Sequence, residues 1–189
     1  MDLFEYILVI TSVVYALAMA QVLSGIGRLA QTDATIRLFL PHSLWVVALF
    51  LSILMFWWAG WEFRSVAWTF PKYVYTMITP ICMFYSSTLI VPARTDDEDV
   101  NLKKHFSKVR KPVIWSFFAA LLTQFADGPI LADEPLWFTG RLLQAVLLSA
   151  VILGALAENK RLQALSPIGL LLFLAFVSIT RLWTPGVIE

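Results

Sequence analysis

A single cysteine, Cys82, rules out an internal disulfide and any metal site built from cysteines. Histidine is almost as scarce. His42 and His105 are the only two, too few for a zinc cluster of the usual kind. A haem held between membrane helices needs two axial ligands facing each other at one depth. His42 opens an apolar segment and His105 falls in a charged loop, so they read as poor partners for that role. The chain also has no glycine-rich phosphate loop, no nucleophile elbow and no HExxH pair. Neighbouring carboxylates are confined to loop runs such as Asp96-Asp97-Glu98. No cofactor is therefore expected and nothing recommends an enzyme, with a sparse lipid-modifying site as a distant third reading. A net charge of +1 offers nothing to nucleic acid.

Charge of either sign is in short supply. Only 14% of the 189 residues are charged and 59% are hydrophobic. A soluble domain holds about 25% charged and roughly 45–50% apolar residues. One globular core of this size cannot hide the excess, so the side chains are expected to face lipid.

What is present is a series of apolar runs. A bilayer core of about 30 Å takes roughly 20 apolar residues at about 1.5 Å each. Segments of that kind run from Leu3 to Ile26, Leu44 to Trp61 and Tyr73 to Val91. Val113 to Ala126 is shorter, and Leu142 to Ala157 and Leu165 to Trp183 follow. The expected fold is an all-α polytopic bundle of six spans in one membrane domain, or five spans plus a re-entrant segment at Val113–Ala126. Pro112 favours six, because proline suits the first position of a helix. The first segment ends near a cleavage-like "ALAMA", but a signal peptide begins with positive charge. This chain begins Met1-Asp2-Leu3-Phe4-Glu5, so the segment reads as a retained helix.

Lysine and arginine set the expected orientation. Arg28, Arg37, Arg94, Lys103, Lys104, Lys108, Arg110, Lys111, Lys160 and Arg161 share one side of a six-span arrangement. Arg64, Lys72, Arg141 and Arg181 fall on the other. Ten of the 14 positive residues thus point to an inner face, with both termini outside a bacterial inner membrane. Trp57, Trp58, Trp61, Trp68, Trp137 and Trp183 then gather at the outer interface, where amphipathic rings settle among headgroups.

Five polar residues are candidates for a pathway or binding site. Glu62 lies one turn after Trp58, so the two share a helix face. It either binds a cation at the rim of the aromatic cluster or extends into water, paired with Arg64 or Lys72. Gln21 sits beside a stripe of small residues, Ala16, Ala20 and Ser24, and reads as packing glue or as part of a polar path. Gln124 and Asp127 cluster at "FADGPI", Phe125 to Ile130, which reads as a helix end and turn. Asp127 is then an outer-loop acid or the lining of a re-entrant element. Pro80 interrupts the third segment, and Thr76 or Thr79 is expected to satisfy the carbonyl it frees.

The loop from Thr95 to Lys111 has a capping box in Thr95 and Glu98, and acids precede bases along it. With Leu102, Phe106 and Val109 on one stripe, it is expected to form a short amphipathic helix on the inner surface, its basic end drawn to anionic headgroups.

Pro41-His42-Ser43-Leu44-Trp45 and Trp57-Trp58-Ala59-Gly60-Trp61-Glu62 carry a loose resemblance to uncharacterised small bacterial polytopic membrane proteins. The resemblance implies the architecture and no activity. The leading expectation is a small transport- or channel-type subunit, possible as a homo-oligomer since a bundle this small encloses little by itself. The alternative is a non-transporting scaffold that docks another membrane protein.

Overall fold

The computed structural model describes residues 2–93, 99–132 and 157–180, together with positions 145, 146 and 149. Helix α1 (Leu3–Gln31) opens with a reciprocal cap. The Asp2 carboxylate accepts from the Glu5 amide at 2.7 Å, and Glu5 accepts from the Asp2 amide at 3.0 Å. These bonds satisfy two of the amides that every helix start leaves open. Strand β1 (Thr35–Arg37) follows, then α2 (Leu40–Ala59), which tightens into a 3-10 turn over Gly60–Ser65. Helices α3 (Phe70–Thr76) and α4 (Ile78–Ile90) share the expected third segment. Strand β2 (Asp99–Asn101), α5 (Leu102–Leu131) and α6 (Lys160–Thr180) complete the described elements.

The chain is mostly helical, and four helical stretches are long and apolar enough to cross a bilayer: Leu3–Gln31, Leu40–Ser65, Leu102–Leu131 and Arg161–Ile179. Only 22% of the apolar window in α1 is buried inside the chain. Val9, Val13 and Leu17 point outward, so the helix is apolar on every side, as insertion in a bilayer requires.

Side-chain contacts fix the helix directions. Phe4 meets Trp61 and Trp57 bonds Ser12, so α1 and α2 run antiparallel. Ser116 reaches the Cys82 carbonyl and Tyr75 the Thr123 carbonyl, so α4 and α5 are antiparallel too. One end of the bundle therefore gathers the start of α1, the 3-10 turn and the close of α5, where Lys72 Nζ donates to the Leu131 carbonyl at 3.0 Å. The opposite end holds the close of α1 and α4 and the starts of α2, α5 and α6. Arg110 there donates to the Ala157 carbonyl at 3.0 Å.

Three local expectations change. The amphipathic surface helix is instead the first half of α5, because Pro112 sits inside that helix and does not begin it. Leu102 and Phe106 are buried in the bundle, and Asn101 caps the helix by accepting from the Lys104 amide. Thr95 and Glu98, expected to form the cap, lie outside the described residues. The turn expected at Gly128-Pro129 is likewise helical through Leu131. Neither threonine near Pro80 acts on the Thr76 carbonyl. Thr76 donates to the Lys72 and Tyr73 carbonyls, and Thr79 pairs with Thr123. Much of the expected fifth span lies outside the described residues, as do Trp137, Arg141, Arg181 and Trp183.

A feature with no trace in the hydropathy pattern is the parallel pairing of β1 with β2, Thr35 to Asp99 through Arg37 to Asn101. Arg37 Nε stands 3.0 Å from the Asp99 carboxylate. Both side chains are exposed, so the ion pair is worth about 0–1 kcal/mol and the backbone bonds do most of the joining.

The core lies between α1, α2, α4, α5 and α6, which adds Leu170 and Leu174, and within it Trp45 meets Phe117 edge-on at 5.7 Å. The face that α1 turns inward carries Ile7, Thr11, Tyr15, Ala18, Val22 and Gly25. The small stripe of Ala16, Ala20 and Ser24 is exposed instead. Gly25 is where the close of α4 comes nearest, since a methyl group there would lie 2.5 Å from Val91 Cγ1. Around Gly27 nothing stands within 4 Å. Gly25→Ala should therefore cost about 1–3 kcal/mol by overpacking, whereas Gly27→Ala should gain up to about 1 kcal/mol from helix propensity. Thermal unfolding of the two variants in one detergent reads the difference in sign.

Candidate functional site

The inward face of α1 alternates apolar and polar side chains near its start, and the polar ones open onto a cleft. Thr11 and Tyr15, one turn apart, line one wall. Thr76 and Thr79 come from the α3–α4 break, and Gln124 and Asp127 from the last turns of α5. Phe56, Trp57, Phe63 and Trp68 supply the remaining wall and the mouth. The enclosed space is about 50 Å³, room for a few water molecules, and it opens at its mouth. From Phe4 to Tyr15 it follows α1 for about 16 Å of a helix about 44 Å long. It stops there. Ala18, Ile53, Met83 and Phe117, each fully buried, close the bundle beneath it.

Asp127 is 6% exposed, the one acidic side chain among the described residues to be buried. Taking a carboxylate out of water in a bundle with an apolar exterior is costly, so such residues mark functional positions by default. It lies on the bundle side of α5 because the helix continues past Gly128 and Pro129 to Leu131 and does not turn out into a loop. Lys72, bonded to the Leu131 carbonyl, holds that last turn against α3.

The hydroxyls around Asp127 are arranged in one sense. Thr11 Oγ1 donates to the Ile7 and Leu8 carbonyls, at 3.1 and 3.0 Å. Thr76 Oγ1 donates to the Lys72 carbonyl at 2.7 Å, and Thr123 Oγ1 to the Ala120 carbonyl at 2.7 Å. A hydroxyl has one proton, so in the 2.5 Å contact between Thr79 and Thr123 the donor is Thr79. These four threonine protons are spent on the protein, whereas the Tyr15 hydroxyl and the Gln124 amide bring donors to the same lining. Trp68 adds the reverse case: its indole N–H is buried and bonds to nothing among the described residues.

Of the five sequence candidates, the cleft brings together Gln124 and Asp127. Glu62 is exposed on the 3-10 turn beyond the mouth. Arg64 lies over the Trp61 ring at 5.7 Å and bonds the Trp61 carbonyl. Gln21 is half-buried, about 9 Å further along α1 than Tyr15. Trp57, Trp58, Trp61 and Trp68 all collect at the cleft end, and Trp68 stacks on Phe4 at 6.5 Å. Thr11, Tyr15 and Thr79 were missed. The available signal was the i, i+4 pair of polar residues inside an otherwise apolar helix.

The two histidines, set apart by the sequence reading, meet at the opposite end. Their rings lie 6.0 Å apart. Nε2 of His42 and of His105 each bond the Ile90 carbonyl, at 2.7 and 3.1 Å, and so cap α4 where its carbonyls have no helical partner. No group of three or more metal-ligating side chains occurs among the described residues. The histidine pair is an end cap.

No known protein family, curated protein or solved structure matches the chain. The cleft is thus read from its own chemistry. Asp127→Asn keeps the shape and an acceptor oxygen, so its unfolding temperature should stay within about 5 °C of the parent's. A fall of more than about 5 °C, equivalent to roughly 1–2 kcal/mol for this size, would identify Asp127 as a structural ion; scanning fluorimetry in detergent measures it.

Proposed function

We propose that this protein is a small transport-type subunit of a bacterial inner membrane, with the cleft around Asp127 as its ligand-binding chamber. The single observation that carries the reading is a buried carboxylate in the lining of an open, aromatic-walled cleft. The sealed core beneath the cleft favours a carrier that alternates between two closures over an always-open pore. A bundle this small is expected to work as a homo-oligomer or beside another membrane protein.

Six spans are the topology best supported. The last turn of α5 and the start of α6 belong to opposite ends of the bundle, and the stretch from Ala132 to Ala157 joins them. That interval includes the apolar run Leu142–Ala157. Arg28, Arg37, Lys103, Lys104 and Arg161 belong to the end opposite the cleft, which supports a cytoplasmic position for that end and an outward-facing cleft. The same basic end suits anionic headgroups.

A second reading, a non-transporting scaffold, draws on Trp57, Trp58 and Trp61, which remain 41–45% exposed and would suit a docked membrane protein.

Two measurements test the proposal. In liposomes, the parent chain should dissipate an imposed proton or monovalent-cation gradient, and Asp127→Asn should reduce the rate tenfold or more. Equal rates in both, or none in either, favour the scaffold. For orientation, Asp33→Cys and Ala67→Cys on a Cys82→Ser background should be labelled from opposite sides, the latter in intact cells. Labelling of both from one side removes the six-span arrangement.

A further inference from the structure

We infer that the ligand of the cleft is a proton, carried on water from the aromatic mouth to the carboxyl group of Asp127. The inference rests on the cleft being the ligand chamber and adds what enters it. Size comes first. The enclosed space of about 50 Å³ has room for a few water molecules. Pockets that hold organic ligands run to about 300–1,000 Å³. The lining then selects water over an ion of either sign. Thr11 and Thr79 give their own protons to the protein and have oxygen lone pairs to offer. The Tyr15 hydroxyl, the Gln124 amide and the Trp68 indole have protons to offer, and the buried Trp68 N–H meets no acceptor among the described residues. An ion of one charge suits half of such a lining. Water donates and accepts, so it suits both halves.

Asp127 is the acid on that lining, and it interacts electrostatically with Tyr15 of α1. A partner does not take a carboxyl group out of proton chemistry. The carboxylate accepts on two oxygens, and the acid form keeps an acceptor while gaining a donor. The step is an exchange. A hydronium ion arriving along the cleft gives its proton to a carboxylate oxygen and leaves as water, and the reverse step releases the proton. The neutral acid is far cheaper to hold among apolar helices than the carboxylate, so protonation favours closure over the site. Tyr15 is the other titratable group that lines the space. Around it, Lys72 of α3 is held on the Leu131 carbonyl and Tyr75 on the Thr123 carbonyl, while Glu62 and Arg64 stand on the 3-10 turn beyond the mouth.

Infrared spectroscopy of the full chain in detergent, in light and in heavy water, tests this beside ion flux in liposomes. The carbonyl stretch of a protonated carboxyl group should grow as the pH falls, reverse as it rises and shift in heavy water. The difference between parent and Asp127→Asn should contain that band, and Asp127→Glu should restore it. Gln124→Leu, at a half-buried position, removes one polar partner of the water. It should slow deuterium exchange at the band by about twofold to tenfold, the worth of one hydrogen bond, which keeps the test open should Asp127→Asn fold poorly. In liposomes a pH gradient should collapse through the parent at least about tenfold faster than a sodium gradient of equal size. A band identical in parent and folded Asp127→Asn, a band that never moves with pH, unchanged exchange in folded Gln124→Leu, or sodium outrunning protons overturns the inference. The transport reading fails separately. Asp127-dependent sodium flux without the titrating band sinks the inference alone, and the titrating, exchanging band without any flux sinks only the transport reading.

Discussion

Polar groups in this chain have few places to go, and that constraint organises the structure. With an exterior so largely apolar, most hydroxyls inside the bundle find an acceptor within the protein, buried Ser87 being an exception. Between α3–α4 and α5 the result is a row of side-chain bonds to backbone carbonyls. Tyr75 reaches Thr123, Ser116 reaches Cys82, and Ser86 reaches Val113. Each such bond in a membrane protein is worth only about 0.6 kcal/mol on average. Spread along the helix pair, they fix its rotation and register. The rotation brings Asp127 and Gln124 inward, so the cleft and the packing have one cause.

The same accounting explains where the helices end. Pro80 cannot donate to the Thr76 carbonyl, and the helix breaks at Met77 close by. The gap left between α3 and α4 is lined by Thr76 and Thr79, which became cleft wall. At the far end, α4 closes under two imidazoles that bond its last carbonyls. The aromatic residues divide by depth. Trp45 and Phe117 fill the core, whereas Trp58 and Trp61 stay at the periphery.

Much of the architecture was legible from composition and run length. Leu3 to Ile26 and Leu44 to Trp61 correspond to α1 and α2 with a few residues added at the ends, because apolar runs of that length have one stable form in lipid. The failures share a cause as well. At Pro112 and at Gly128-Pro129 local chemistry argued for a boundary, and tertiary packing carried the helix through both. The exposed Ala16–Ala20–Ser24 stripe shows the limit of residue size as a guide. What placed α1 was the close approach of Val91 to Gly25 and the fit of Ala18 and Val22 into the core. Asp127 and Gln124 were visible as charge and amide near an apolar run. Tyr15 and Thr11 offered only their i, i+4 spacing inside an apolar helix, which does not say what that face turns toward.

The pairing of β1 with β2 bears on the order in which the molecule is made. Thr35–Arg37 leaves the ribosome well before Asp99–Asn101, with α2, α3 and α4 emerging in between. A parallel bridge cannot close until its second strand arrives. The first four helices are therefore made before the latch can close, and the strand pair joins them only as translation reaches α5.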